Sequence, residues 1–164
     1  MKKGLMITAL IMCLGLQLFA SSGNDDKEKY KYTVDLTEVK DDKLFVELAT
    51  PNIDESEIIY YMPKIIPGTY SIADYGRYVS DLKAFDKKGK ELPVEKLNDN
   101  SWKISKANKM TSITYWVEDS FDSEIQGADI FKPAGTNFEK DKNFVINTPG
   151  LFGYFENMKQ MDFD

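Results

Sequence analysis

The 164-residue sequence has no histidine and only one cysteine, Cys13. Without histidine, the Ser-His-Asp and Cys-His nucleophile systems are excluded, and so are nearly all catalytic zinc sites, which use imidazole ligands. Cys13 lies in a segment that we expect to be removed, so the mature chain would form no disulfide. An enzyme built from this chain alone would depend on carboxylates, tyrosine or lysine. We therefore expect no catalytic residue and no metal site here, and an isolated chain that is inactive.

Positive charge is also scarce. The 27 acidic residues outnumber the 21 basic ones, giving a formal charge of −6, and Arg77 is the single arginine. An acidic chain is poorly suited to nucleic acid or to an anionic membrane surface. We expect neither as a partner.

The first 22 residues have the layout of a secretory signal peptide. Lys2 and Lys3 precede an apolar run over residues 5–20, and small residues follow it. The run is shorter than the ~20 apolar residues of a membrane-spanning helix, although a retained anchor helix stays as the alternative. Residues 23–29 form a charged leader. We expect an exported protein, periplasmic or extracellular, with no membrane attachment after cleavage.

The mature chain is patterned as strands. Residues 30–37 (YKYTVDLT) alternate between apolar and polar side chains and predict a half-buried strand, and residues 44–49 (LFVELA) predict the second arm of a hairpin. Residues 57–62 (EIIYYM) are rich in β-branched and aromatic side chains and predict a third. Further strands are predicted over residues 78–86, 92–96, 101–105, 113–117 and 144–146.

Short strands at this spacing, with no helical period or internal repeat, are typical of an antiparallel β-sandwich. The expected fold is therefore all-β. Residues 161–164 (MDFD) begin a new alternating run, so we expect residues 30–164 to be a β-domain that is incomplete at its C-terminal end.

Residues 63–78 (PKIIPGTYSIADYGRY) are unusually dense in proline, glycine and tyrosine. Pro67 and Gly68 signal a turn, and Ser71 is a candidate cap for a short helical turn through residues 74–78. Two interpretations stay open. In the first, Tyr70, Tyr75 and Arg77 line a ligand surface. In the second, the tyrosines pack into the domain, and Asp74 or another carboxylate forms an ion pair with Arg77.

A second dense stretch covers residues 131–137 and 144–156, where glycines and prolines alternate with aromatic residues. It predicts a wrapped loop against something apolar, either this domain or a neighbouring one. Between the dense stretches, residues 118–129 form an acidic loop. One interpretation is calcium binding, because calcium takes oxygen ligands, but the spacing fits no dedicated calcium loop. The other, which we favour, is a solvated acidic loop.

These stretches carry a family resemblance. Residues 67–77 (PGTYSIADYGR) resemble the PGSY-containing signature in the N-terminal domain of glycyl-aminopeptidase-like zinc metallopeptidases, metallopeptidase family sixty-one. Residues 134–156 (AGTNFEKDKNFVINTPGLFGYFE) look like the later part of that domain in Bacteroidetes-type members. The resemblance covers essentially residues 30–164. The signature positions that we assign to a structural motif are Pro67, Gly68, Tyr70, Asp74, Tyr75 and Arg77.

The resemblance implies a three-part protein. This β-domain would pack on a thermolysin-like catalytic domain that holds the zinc, and a PDZ domain would follow. Such proteins remove N-terminal residues, glycine and alanine among them, from peptides. We expect the β-domain to wall one end of the cleft and to contact substrate or the neighbouring domain through Asn147, Tyr154 and Glu156. The alternative is a free-standing secreted β-sandwich that binds a peptide or glycan.

Overall fold

The computed structural model describes residues 28–164. The expected signal peptide and most of the charged leader lie outside the described residues. The described chain forms eleven strands and one single-turn helix. The strands are β1 (Lys31–Lys40), β2 (Lys43–Ala49), β3 (Glu57–Tyr61), β4 (Val79–Asp86), β5 (Glu91–Leu92), β6 (Val94–Asn98), β7 (Ser101–Ser105), β8 (Met110–Glu118), β9 (Asn137–Glu139), β10 (Asn143–Val145) and β11 (Tyr154–Phe155), and the helix is α1 (Thr148–Leu151).

Two antiparallel sheets face each other. One has five strands in the order β1-β2-β8-β4-β5, the other has four in the order β11-β3-β7-β6, and β9 and β10 form a separate small hairpin. The expected all-β, sandwich-like fold is confirmed. No helix among the described residues is long and apolar enough to cross a membrane.

The alternation read from the sequence places the core between the sheets. In β2, Leu44, Val46 and Leu48 are fully buried, whereas Phe45 and Glu47 point to the opposite face. Phe45 packs there against Trp116 of β8 with ring centroids 5.1 Å apart. Full burial of an aliphatic side chain such as Leu44 or Val46 stabilises the fold by about 1.5–3 kcal/mol.

The predicted strand over residues 92–96 is wrong in one respect, because the structure divides it at Pro93. Leu92 ends β5, which pairs with β4 in the five-stranded sheet, and Val94 begins β6, which pairs with β7 in the other sheet. Proline has no N–H to give to a sheet, so it suits the point where the chain passes between layers.

The last part of the chain adds pairings that local pattern predicts only in part. The predicted strand at residues 144–146 is found at Asn143–Val145, and its partner β9 was not predicted. The alternating run at the end pairs with the edge of β1. The backbone N–H of Tyr30 donates to the Asp162 carbonyl at 2.9 Å, and the backbone N–H of Asp164 donates to the Tyr30 carbonyl at 2.7 Å.

Candidate functional site

The fold brings the two dense stretches together. The Tyr75 hydroxyl donates a 2.6 Å hydrogen bond to the Ala134 carbonyl. Gly150 lies against the Tyr75 ring, since a Cβ added at this glycine would be 3.5 Å from the nearest ring carbon. Pro63 and Pro149, one from each stretch, line the same cavity. The two sequence signals therefore build one region of the surface.

A 3-10 turn over Tyr75–Tyr78 forms the end of the first stretch, close to the predicted helical turn. The expected cap is wrong. Asp74, not Ser71, precedes the turn, in a left-handed conformation with φ of 48° and without a side-chain capping bond. The Asp74 carboxylate instead accepts a 2.7 Å hydrogen bond from the Asn100 side chain. Asn100 also accepts from the Gly76 N–H at 3.0 Å, so it fixes the turn from the side.

The interpretation in which a carboxylate holds Arg77 is also wrong. Its guanidinium donates to the Gln126 carbonyl at 3.2 Å and to the Ala128 carbonyl, and it lies over the Tyr78 ring at 4.9 Å. Gly127 fits beneath it, since a Cβ there would overlap Arg77 Nη1. Arg77 thus fastens the loop after β8 through its backbone.

The tyrosines of this stretch do not all pack. Tyr75 and Tyr78 are buried, but Tyr70 is 99% exposed and has a positive φ of 55°. The packing interpretation therefore holds for two tyrosines and is wrong for Tyr70.

Three tyrosines from different strands fix the second dense stretch. Tyr115 donates to the Leu151 carbonyl at 2.7 Å, and Tyr32 donates to the Gly153 carbonyl at 3.0 Å. Between them, Tyr60 accepts from the Gly153 N–H at 3.1 Å. Its hydroxyl lies 2.9 Å from that of Tyr32 and 3.1 Å from that of Tyr115. Each phenol therefore has a partner for its proton.

The tyrosine trio (Tyr32, Tyr60 and Tyr115) has a structural role. Burial raises the pKa of Tyr60 and raises the pKa values of Tyr32 and Tyr115 well above the ordinary value of 10.0. The phenols stay neutral and act as hydrogen-bond donors and acceptors at physiological pH. A buried network with all its members satisfied makes the segment that it holds rigid.

An apolar cavity of about 470 Å³ opens beside the segment that the trio holds. It is lined by Tyr32, Pro63, Thr148, Pro149, Phe152, Tyr154, Phe163 and Asp164. The ring centroids of Tyr32 and Phe152 are 4.6 Å apart, and Phe163 stacks on Tyr32 with ring centroids 5.9 Å apart. The cavity has rigid aromatic walls and can receive an apolar group.

The three expected contact residues have different neighbours. Tyr154 lines the cavity and stacks on Tyr61 with centroids 5.8 Å apart. Glu156 is exposed and lies just after β11. Desolvation, and secondarily the charge of Glu156, raises the pKa of Tyr61. Asn147 precedes α1, and its side chain donates to the Pro133 carbonyl at 3.4 Å. Tyr154 and Glu156 thus share a neighbour, Tyr61, whereas the hydrogen bond of Asn147 joins it to residues 131–137, the other part of the same dense stretch.

The acidic loop is not uniformly solvated. Asp119 is only 3% exposed and accepts hydrogen bonds from the N–H groups of Phe121 at 3.0 Å and Phe138 at 3.3 Å. Burial, and secondarily the Asp122 carboxyl, raises the pKa of Asp119 to about 6. Among residues 28–164 no three metal-ligating side chains are grouped so that they could hold an ion.

The sequence reasoning missed the tyrosine trio. Its members are separated by 28 and 55 positions, and alternation shows only that each faces inward. Their signal is the presence of hydroxyl-bearing aromatics at core positions of three strands, since a buried phenol needs a partner.

Comparison with known proteins agrees with the fold. The sequence profile described as the Peptidase M61 N-terminal domain matches residues 31–164. Among solved structures, the crystal structure of an aminopeptidase N family protein from Idiomarina loihiensis is similar in fold, with a TM-score of 0.58 and 21% sequence identity. The alignment covers 79% of this chain and 20% of that one, so this chain spans about a fifth of that protein. No curated protein matches the sequence significantly. The profile match extends over most of the chain, which therefore belongs to the Peptidase M61 N-terminal domain family.

Proposed function

We propose that this chain is the N-terminal accessory domain of an exported zinc metallo-aminopeptidase. In this proposal it packs on the catalytic domain and walls one end of the substrate cleft. Membership in a peptidase N-terminal domain family supports the accessory role. Zinc would be held by the catalytic domain, and a PDZ domain would belong to the same full-length protein.

The observation that carries the proposal is the rigid aromatic cavity. A wall that stops a peptide has to keep its shape when substrate presses on it. Here the backbone from Leu151 to Gly153 is held by three phenols, and the cavity wall includes Pro63 and Pro149, whose φ angles are fixed by their rings. Preorganised positioning of this kind contributes to catalysis without any reacting group on the wall itself.

Glu156 and Asn147 are the polar groups that we propose for contact with the substrate's ammonium terminus or with the catalytic domain. Glu156 is exposed and has no ion-pair partner among residues 28–164. A free carboxylate next to an apolar surface suits an ammonium group, because the charge-assisted bond adds to apolar contact. Tyr154 would supply the apolar contact.

The test is the kinetics of the full-length protein. Glu156→Gln, Asn147→Ala and Tyr154→Ala are compared with wild type for kcat/KM on N-terminal glycyl and alanyl peptides. Loss of a charge-assisted contact predicts about a tenfold or larger decrease for Glu156→Gln. Bound zinc, measured by elemental analysis, should be unchanged, since the zinc ligands would lie in another domain.

Matched controls are Glu47→Gln and Asn108→Ala, which replace exposed side chains of the same types away from the cavity. If all three test variants match these controls in kcat/KM, the wall proposal is wrong. Binding of a peptide or glycan to the aromatic cavity, titrated by calorimetry, would then support the alternative of a free-standing binding module.

A further inference from the structure

Two tyrosines stand side by side on the outer face of the four-stranded sheet. Tyr154 of β11 is the direct partner of Tyr61 of β3, and their rings stack with centroids 5.8 Å apart. The residues beside them, Tyr60 and Phe155, are fully buried, so alternation places the pair outward. Both outer tyrosines are half-buried, and the face of an aromatic ring attracts cations because it carries partial negative charge.

A cation of the chain itself lies on this surface. The ammonium group of Lys159 is 5.3 Å from the centre of the Tyr154 ring. Two consecutive turns bring the chain back to this position. The N–H groups of Met158 and Met161 close them on the carbonyls of Phe155 and Met158, at 3.1 and 3.2 Å. The backbone therefore returns Lys159 to a ring that lies five positions earlier in the sequence.

Lys159 lies on the ring and does not pair with a carboxylate close in sequence. Glu156 is three positions before it and is exposed, yet neither side chain forms an ion pair within residues 28–164. After desolvation, the charge of Glu156 is the next cause that raises the pKa of Tyr61, so this carboxylate is close to the tyrosine pair. Within the described part of the chain, the pair thus has a cation on one ring and an unpaired carboxylate near the other.

We propose that Lys159 is a displaceable internal ligand, which occupies on Tyr154 the place taken by the ammonium terminus of a bound peptide. The inference rests on the proposed function, to which it adds the residue that competes with substrate. A peptide ammonium would gain the ring face and the Glu156 carboxylate together, whereas Lys159 has the ring and, within residues 28–164, no ion pair. Binding therefore favours the incoming ammonium although the lysine contact is lost.

The neighbouring cavity suits the rest of such a ligand. Tyr154 lines the apolar cavity of about 470 Å³ and also contacts Lys159. An ammonium group on this ring has apolar space beside it for the carbon atoms to which it is attached. A peptide terminus combines these two features, whereas an inorganic cation would use only the ring and the carboxylate, and a neutral glycan would use neither charge.

The first test is the steady-state kinetics of the full-length protein with Lys159→Ala. Because a cation on an exposed ring contributes little free energy, we expect KM for glycyl and alanyl peptides to fall about two- to fivefold, with kcat unchanged. Lys159→Arg keeps the cation and should leave KM at or above the wild-type value. Lys96→Ala is the matched control, since the Lys96 ammonium lies 5.3 Å from the Trp102 ring on the edge strand β6, and its KM should equal that of wild type.

The second test observes the displacement without catalysis. Protons over an aromatic face resonate upfield, so the ε-methylene signal of Lys159 reports its contact with Tyr154 in the NMR spectrum of the full-length protein. Glycinamide is titrated as a probe with a free ammonium group, and N-acetylglycinamide as the matched probe without one. We expect glycinamide alone to move the Lys159 signal towards its position in Tyr154→Ala, and to leave the Lys96 signal in place.

A Lys159 signal that glycinamide does not move would overturn the proposal. Equal shifts with glycinamide and N-acetylglycinamide would also overturn it, because the ammonium charge would not be recognised. If Glu156→Gln lowers kcat/KM while Lys159→Ala matches Lys96→Ala in KM, the competing lysine is wrong and the wall remains. Displacement by glycinamide, with kcat/KM of Glu156→Gln, Asn147→Ala and Tyr154→Ala at control values, would keep the ammonium site and remove the wall.

Discussion

The hydroxyl of Tyr115 donates a 2.7 Å hydrogen bond to the carbonyl oxygen of Leu151, joining the centre of the five-stranded sheet to the last residue of α1. Both residues are fully buried. The bond fixes the position at which the chain turns back towards the four-stranded sheet, where Tyr154 and Phe155 pair with β3. A single phenol therefore helps to set the cavity wall.

Replacing Tyr115 with phenylalanine should lower the free energy of unfolding by about 1–3 kcal/mol. The substitution leaves the Leu151 carbonyl buried without a donor, and such a group costs its desolvation. The measurement is urea unfolding followed by fluorescence. Tyr61→Phe is the matched control, since Tyr61 is half-buried and we expect a change below about 0.5 kcal/mol. Equal midpoints for the two variants would contradict the assigned bond.

Gly153 should tolerate no side chain. A Cβ at this position would overlap the Tyr61 carbonyl oxygen and lie 2.6 Å from Tyr60 Cζ. Since backbone and a buried ring cannot both move aside, we expect Gly153→Ala to destabilise the fold by about 3 kcal/mol or more. Gly89→Ala is the control. It meets open space but has a positive φ of 71°, so its cost should be about 1 kcal/mol. Thermal unfolding of the two variants checks the order.

Local pattern predicted the strands because alternation follows directly from the pleat of a half-buried sheet. The residues of β2 illustrate this, since each apolar position marked by period two is buried. The same rule cannot say which strands become neighbours. The trio of Tyr32, Tyr60 and Tyr115 depends on how strands of two different sheets are aligned. Its hydrogen bonds therefore could not be predicted from the local sequence pattern.

Substituting Arg77 with lysine should loosen the loop after β8. The guanidinium reaches two carbonyls, of Gln126 and Ala128, and also the Tyr78 hydroxyl, 3.0 Å away. One ammonium group cannot reproduce this planar set of donors. We expect a loss of about 1–2 kcal/mol in stability and faster proteolytic cleavage between residues 122 and 131.

The control for Arg77→Lys is Lys83→Ala, which removes an exposed ion pair with Asp81. Surface pairs of this kind contribute little, so its cleavage rate should match wild type. Cleavage of Arg77→Lys at the wild-type rate would show that the loop is held by other contacts.

The error over Arg77 has a physical reason. Spacing of three residues on a helical turn brings Asp74 and Arg77 to one face, which favoured a pair. In the structure Asp74 has a left-handed backbone and its carboxylate accepts a hydrogen bond from Asn100. The guanidinium donates instead to carbonyls of a loop about fifty positions later. Partners that come from distant sequence compete with local ones, and only the fold decides between them.

Asp119 should make stability depend on pH in the acidic range. Its pKa is raised from 3.8 to about 6 on folding, chiefly by burial, so the folded state binds the proton more tightly than the unfolded state. The stabilisation from this group is complete below about pH 4 and is lost as pH rises towards 6. At 1.36 kcal/mol per pKa unit, the difference between 3.8 and about 6 corresponds to about 3 kcal/mol, and little of it is screened because Asp119 is only 3% exposed.

The measurement is the free energy of unfolding from pH 3.5 to 7 for wild type and Asp119→Asn. The variant has no proton to bind at this position, so the stability of wild type relative to the variant should fall across pH 4–6 and be constant above. The amide still accepts one of the two N–H bonds from Phe121 and Phe138, which keeps the variant folded enough to compare. Parallel curves would mean that the folded state leaves Asp119 with the proton affinity of an unfolded aspartate, and that burial of this carboxyl is compensated by its two backbone donors.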